Sequence, residues 1–324
     1  MTTDTPAYTL TERADLLGYV PYLLGFHPAD STVVMGLRGN RIAVAARADL
    51  AAPRTETVRR FAQVLAAAGR GRAAVGSVVV VGYGPDTGAA DAARHAADAL
   101  DGRGYHVREV LLQAGDRYHC LQCDRCTPPE GAPFDPSTTA AAAIATYEGL
   151  VALPDRATVE RRVQPVGGLA AVAMAQAVDR AEDRLEALLA DGGDRALVTA
   201  GETAVEAALH GAEAGGRLDD DEAAWLTVLL HDLRCRDHAW QRTDAEGWQL
   251  DLWLDLTRRA EPALVAPPAT LLAWCAWRGG NGVLATAALD RALHADPAYS
   301  LAHLLTDALD RAVPPSSIHP WPVP

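Results

Sequence analysis

The chain has 324 residues, a formal net charge of −13, and 49% hydrophobic against 22% charged residues, the balance of a globular protein long enough for two domains. All 29 basic residues are arginine, which excludes the usual forms of a phosphate-loop NTPase, a pyridoxal enzyme and a protein kinase, since each needs a lysine. The acidic balance disfavours sequence-independent binding of nucleic acid, and no charge-free apolar run reaches the ~18 residues of a membrane span.

In chain order, the polar, acidic start is not that of a secretory signal. Thr9 to Glu12 reads as a capping box opening a short helix, with Pro21 expected to interrupt it and start a second turn. Residues 31–37 and 42–48 read as a hairpin turning at Gly39-Asn40. In 55–68, Val58, Phe61, Ala62 and Leu65 share one face at helical spacing. Val78 to Val81 is a β-branched run bounded by glycine, expected as a central strand covered on both faces. A helix over 89–100 and a strand over 107–112 complete an α/β sheet with crossover helices.

From Thr138 the pattern is helical. The expected helices are 138–150, 168–190, 200–213, 219–234, 236–258, 262–277, 281–294 and 298–312. Small residues at Ala285 and Ala292, with Leu289 between and Pro297 beyond, match the second helix of a tetratricopeptide-type hairpin. The expected fold is therefore an α/β domain over 1–135, then an all-α domain over 136–312 whose 261–312 portion is a tetratricopeptide-like hairpin. A proline-rich tail over 313–324 is expected to be extended or disordered.

Three segments carry candidate chemistry. Cys120, Cys123 and Cys126 lie at two-residue spacings that can turn thiolates toward one ion, with zinc the metal such soft ligands favour. A fourth ligand is not evident, and His119 adjoins Cys120 too closely to ligate with it. A redox thiol pair and a loop of reduced thiols are the other readings. Gly82, Gly84, Asp86 and Gly88 follow a strand and precede a helix, where backbone N–H groups can hold an anion. The spacing departs from the dinucleotide fingerprint, Pro85 removes a donor, and a plain tight turn explains the segment as well. His27, Asp30 and Ser31 contain the residue types of a catalytic triad, but Pro28, Asp30 and Ser31 also make an ordinary turn.

Two further features read as structure first. His231, Cys235 and His238 form a stripe expected to face solvent or a neighbouring helix, opposite Leu226, Leu229, Leu230 and Leu233. Arg236-Asp237 with Trp240 reads as a helix-packing set around a buried ring.

The segment Asp15 to Val34 (DLLGYVPYLLGFHPADSTVV) resembles the opening of an actinobacterial family, domain of unknown function 4192. The likeness continues in Arg117-Tyr118, Pro128-Pro-Glu130-Gly131, Arg236-Asp237-x-x-Trp240 and Leu271 to Gly280, and so spans nearly the whole chain. Members of that family tend to carry an adjacent cysteine pair where this chain has Cys126-Thr127. The resemblance implies a shared fold and a bacterial cytoplasmic setting, which the odd cysteine count also suggests. It implies no activity.

The leading functional expectation is a non-enzymatic cytoplasmic binding or regulatory protein. Its α/β domain would hold a small ligand or a metal-stabilised loop, and its C-terminal helices would meet a protein partner. No nucleic-acid or membrane partner is expected. The alternatives are a hydrolase acting on a nucleotide or related small molecule at the carboxyl ends of the sheet, and a structural scaffold without ligand. The catalytic residues of such a hydrolase, and any cofactor besides zinc, are not assigned by the residues.

Overall fold

The computed structural model describes residues 12–69, 75–85 and 87–318. The chain forms two compact units, Met1–Arg156 with Asp310–Pro314, and Ala157–Leu309 with Pro315–Pro324. The expected capping residue Thr9 and the candidate Asp86 lie outside the described residues.

The first unit contains α1 (Arg13–Leu24), β1 (Ser31–Arg38), β2 (Arg41–Asp49), α2 (Arg54–Ala68), β3 (Ser77–Tyr83), α3 (Thr87–Asp101) and β4 (His106–Ala114). Then come β5 (Arg117–Cys120), β6 (Ala132–Pro133) and α4 (Ala140–Tyr147). The strands form one mixed sheet in the order β2-β1-β3-β4-β5-β6. Among these six strands only β3 and β4 pair in parallel. A parallel pair needs a crossover longer than a hairpin turn, and α3 supplies it.

Both faces of the sheet are covered, as the valine run implied. Val34, Val78, Val80 and Val110 pack against Phe61 and Leu65 of α2 and against Ala93, Ala96 and Leu100 of α3. The alternate side chains Leu37, Val79 and Leu111 lie beside Leu16 of α1. Every residue of β3 is buried.

The α1 helix runs through Pro21 rather than breaking there, and ends at Gly25 in the left-handed region (φ 79°). Its Gly18 lets α4 approach: a Cβ there would sit 2.1 Å from Thr139 Oγ1. Thr139 caps α4 by accepting from the Ala142 N–H at 3.1 Å, and Tyr19 packs on Ala141 and Ala145. These contacts hold α4 in the first unit. That unit therefore extends to Arg156, past residue 135 where the end of the sheet pattern set the expected boundary.

The second unit is helical: α5 (Arg156–Arg162), α6 (Leu169–Glu213), α7 (Asp220–Leu229), α8 (Leu233–Arg242), α9 (Gly247–Arg259), α10 (Ala266–Arg278), α11 (Gly282–Ala295) and α12 (Ser300–Asp310). The two helices expected over 168–190 and 200–213 are both present, as the two arms of α6, which is broken at Gly193 where the backbone is not helical (φ 58°, ψ −156°). The helix expected over 219–234 stops at Leu229, because Asp232 caps a new helix by accepting from the Arg234 N–H at 2.9 Å. The expected 236–258 helix divides at Thr243–Glu246 into α8 and α9.

That division organises the aromatic core. Trp253 Nε1 donates to Thr243 Oγ1 at 3.1 Å, and Trp274 Nε1 donates to the Thr243 carbonyl at 2.8 Å. Trp240 meets Trp274 edge-on at 5.4 Å between ring centroids. The α10 and α11 helices form the expected hairpin, with Leu284, Ala285, Leu289 and Ala292 buried. The start of the tail is not extended: Pro315–Ser317 form a short turn, and Arg278 donates to the carbonyls of Pro315 (3.0 Å) and Ile318 (3.1 Å).

Candidate functional site: a cleft beside the cysteine loop

The glycine turn after β3 has a packing explanation. A Cβ on Gly82 would lie 2.5 Å from the Ala89 carbonyl oxygen, so a side chain is excluded where α3 meets the strand end. Gly84 adopts φ 156° and its N–H donates to the Gln113 carbonyl at 3.2 Å. Gly88 lies exposed in the first turn of α3.

The cysteine loop hangs from β5, a strand the sequence reading missed because four residues leave no periodic signal. β5 pairs with β4 so that Leu112 faces His119 and Leu111 faces Cys120. Backbone and side-chain bonds tie the loop at several points. The Cys120 N–H donates to Thr127 Oγ1 at 3.1 Å, the Val110 N–H donates to Gln122 Oε1 at 3.0 Å, and Arg117 donates to the Gly131 carbonyl at 2.7 Å. Gly131 (φ 85°) is pressed on His119: a Cβ there would be 2.7 Å from Nε2.

Within the loop, Asp124 and Arg125 form a turn, and the Arg125 N–H donates to Cys123 Sγ at 3.4 Å. The Cys126 thiol, aided by the Arg125 N–H, holds the Cys123 thiol below its ordinary range. The Cys123 thiol, with desolvation and the neighbouring Cys120, pushes Cys126 up to about 11. Among the described residues, no three His, Cys, Asp or Glu side chains are arranged to hold a metal ion. The zinc expectation for Cys120, Cys123 and Cys126 thus has no ligand set to support it.

The fold brings these two segments together. Pro85, Thr87 and Arg94, from the turn and α3, face Cys120, Cys123 and Pro128 across a cleft of about 690 Å³. Leu112 and Ala114, at the carboxyl end of β4, also line it. Ligands of open α/β sheets commonly sit outside the carboxyl ends of strands. The crossover helix α3 and the short β4–β5 hairpin place both walls there.

The third candidate segment does not join the cleft. His27 and Asp30 are exposed, and the His27 N–H donates to the Leu153 carbonyl at 2.9 Å. Asp30 lies near the glycine turn, with Oδ1 3.6 Å from the place a Gly84 Cβ would take, but it forms no wall of the cleft. Ser31 is fully buried opposite Tyr83, and neither hydroxyl has a hydrogen-bond partner. A serine nucleophile needs a base at its oxygen, and none is present at Ser31.

The stripe at His231, Cys235 and His238 does not act as a unit. His231 lies in the break between α7 and α8 and is exposed. Cys235 is buried against α6, so closely that a Cβ on Gly201 would be 2.0 Å from its sulfur. His238 Nε2 lies 3.1 Å from Glu206 Oε1. The Trp240 ring is half-buried, while Arg236 is buried and pairs with Asp237.

A second cavity, of about 650 Å³, runs along α6 and was not anticipated. Ala196, Ala200, Ala204 and Ala207 line it, with Arg184 stacked 4.0 Å over the Trp225 ring. The alanine spacing was the available signal, but small residues at helical spacing mark ordinary helix packing equally well. The cavity contains no thiol, imidazole or carboxylate, so the cleft beside the cysteine loop is the stronger site.

No helix among the described residues is long and apolar enough to cross a membrane. No curated protein and no solved structure matches the chain. One family model does match, over residues 14–316, and so takes in both units and the cleft. The chain belongs to the family described as Domain of unknown function (DUF4192).

Proposed function

We propose that the protein is a non-enzymatic binding or regulatory protein whose α/β unit takes a small ligand in the cleft between α3 and the cysteine loop. The observation that carries this reading is the cleft itself. Two segments distant in sequence, 85–94 and 119–129, wall about 690 Å³ at the carboxyl ends of the parallel strands β3 and β4, the size of an ordinary small-molecule site. Its walls are mostly apolar, with Thr87, Arg94, His119, Asp124 and Thr127 as polar groups. Such a lining suits an organic ligand with a few polar atoms. The hairpin of α10 and α11 suits a protein partner, in keeping with a tetratricopeptide-like module. A cytoplasmic, actinobacterial setting belongs to the same reading, supported by the lysine-free composition and the odd cysteine count. The hydrolase alternative has less support, because Asp30 is exposed outside the cleft and Ser31 has no base.

The test is a titration of the full chain with two fluorescent probes, anilinonaphthalene sulfonate and a labelled adenosine diphosphate. Thr87→Trp, at the cleft wall, is the blocking variant. Saturable binding of either probe, weakened by about tenfold or more in the variant with circular dichroism unchanged, is the expected result. No saturable binding, or binding indifferent to the substitution, counts against the cleft as a ligand site.

A further inference from the structure

We propose that Cys123 and Cys126 are a reversible dithiol–disulfide pair that exchanges with small disulfides from solution. This inference does not depend on the cleft holding a ligand.

The geometry comes from the turn. Asp124 and Arg125 are its central residues, so Cys123 and Cys126 are its ends. A β-turn holds its end Cα atoms within about 7 Å, and disulfides span about 4.4–6.8 Å between Cα atoms. Cys126 is exposed, and Cys123 is half-buried at the wall of the cleft. The Arg125 N–H is aimed at Cys123 Sγ at 3.4 Å. That contact and the neighbouring Cys126 thiol favour a thiolate at Cys123, the form that attacks disulfides. The carboxylate of Asp124 acts the other way, but more weakly. Cys235 and Cys275 are buried, with thiols pushed up by burial to about 11 and about 12, so they are poor competitors.

The exchange balances in two steps. The Cys123 thiolate attacks one sulfur of a small disulfide RS–SR, whose S–S bond breaks as RS⁻ leaves with the electron pair. Cys126 loses its proton to solvent and attacks Cys123 Sγ, releasing the second RS⁻. The two cysteines give up two electrons, and the small disulfide takes up two. The order of the steps follows from the turn: the Arg125 N–H faces Cys123 Sγ and favours its thiolate as the first attacker, and the exposed Cys126 resolves the mixed disulfide.

The test treats the full chain with oxidised glutathione near neutral pH, followed by intact-mass analysis and tryptic mapping under non-reducing conditions. Trypsin cuts after Arg125, so a Cys123–Cys126 bond joins two peptides. The wild-type chain is expected to end without adduct, cross-linked at this pair, and to return to the dithiol with excess reductant. Cys126→Ser is expected to accumulate glutathione on Cys123, and Cys123→Ser to consume the disulfide about tenfold or more slowly. A lasting adduct on the wild type, a cross-link through Cys120, or an undiminished rate in Cys123→Ser overturns the proposal. Cys120 and Cys123 share the tryptic peptide 118–125, so fragmentation of the linked wild-type peptides locates the bond and decides the matter if a variant fails to fold.

Discussion

Replacing Gly82 by Ala tests whether the turn after β3 is glycine because of packing. The Cβ would stand 2.5 Å from the Ala89 carbonyl oxygen and 3.0 Å from its carbon. An ordinary close C···O contact is about 3.3 Å, so the backbone of α3 would have to retreat by about 0.8 Å. Ala89, Ala90 and Ala93 on that helix are all buried, and moving them opens the core they fill. Overpacking of this kind costs about 1–3 kcal/mol. A glycine inside a strand gives back roughly 0.5–1 kcal/mol when replaced by alanine, so the midpoints leave a net loss of about 1 kcal/mol. Amide hydrogen exchange at Val78 to Val81 reads it directly, since a loss of that size raises the open population about 5-fold. All seven tryptophans lie at position 225 or later, so their emission reports the helical unit as a reference in the same sample. Unchanged or greater protection across β3 would refute the packing explanation.

Three other outcomes are expected. Gly201→Ala should destabilise the helical unit by about 1–3 kcal/mol, since its Cβ would meet Cys235 Sγ at 2.0 Å. Cys235→Ala should recover part of that loss, and strict additivity of the two in urea unfolding would contradict direct contact. Thr243→Val leaves the buried Trp253 N–H without its acceptor and should cost about 1–3 kcal/mol. An unchanged melting temperature by tryptophan emission would argue against it. The Arg278 guanidinium holds the Asp244 carboxyl below its ordinary range, chiefly through their hydrogen bond. That stabilisation is complete above the unfolded value of about 3.9 and is lost as pH falls through the lower folded value. Asp244→Asn should therefore lower stability at neutral pH and shrink the acid-induced loss below pH ~4; parallel stability–pH curves for the two proteins would refute the linkage.

The strands and helices that were legible in the sequence had long, periodic or β-branched patterns. Val78 to Val81 read as a doubly covered strand, and β3 is buried throughout. Phe61 and Leu65 read as one helix face, and they pack on Val34 and Val80. The short pieces were not legible. β5 and β6 have too few residues for any period, yet they set the path of the cysteine loop. Pro21 misled because a proline's lost hydrogen bond does not outweigh a well-packed helix: Leu17, Tyr19 and Val20 around it are buried. The break at Leu230–Asp232 was hidden in a continuous apolar pattern, and only the Asp232 cap marks it.

Two properties of this protein were set by the sequence by itself. The alternation of strand and helix to about residue 113, and the helical pattern from Thr138, determined an α/β unit and a helical one, because periodicity records which side chains must leave water. The absence of lysine makes every strong cation a guanidinium, fitted to the paired contacts seen at Arg13–Glu109 and Arg278–Asp244. The tertiary structure decided the site. Linear spacing made the cysteine loop, the glycine turn and the His27–Ser31 segment look like three separate candidates. Sheet order then put the first two across one cleft and left the third outside it. Spacing along the chain constrains only near neighbours, whereas a site is assembled from residues that strand pairing brings together from afar.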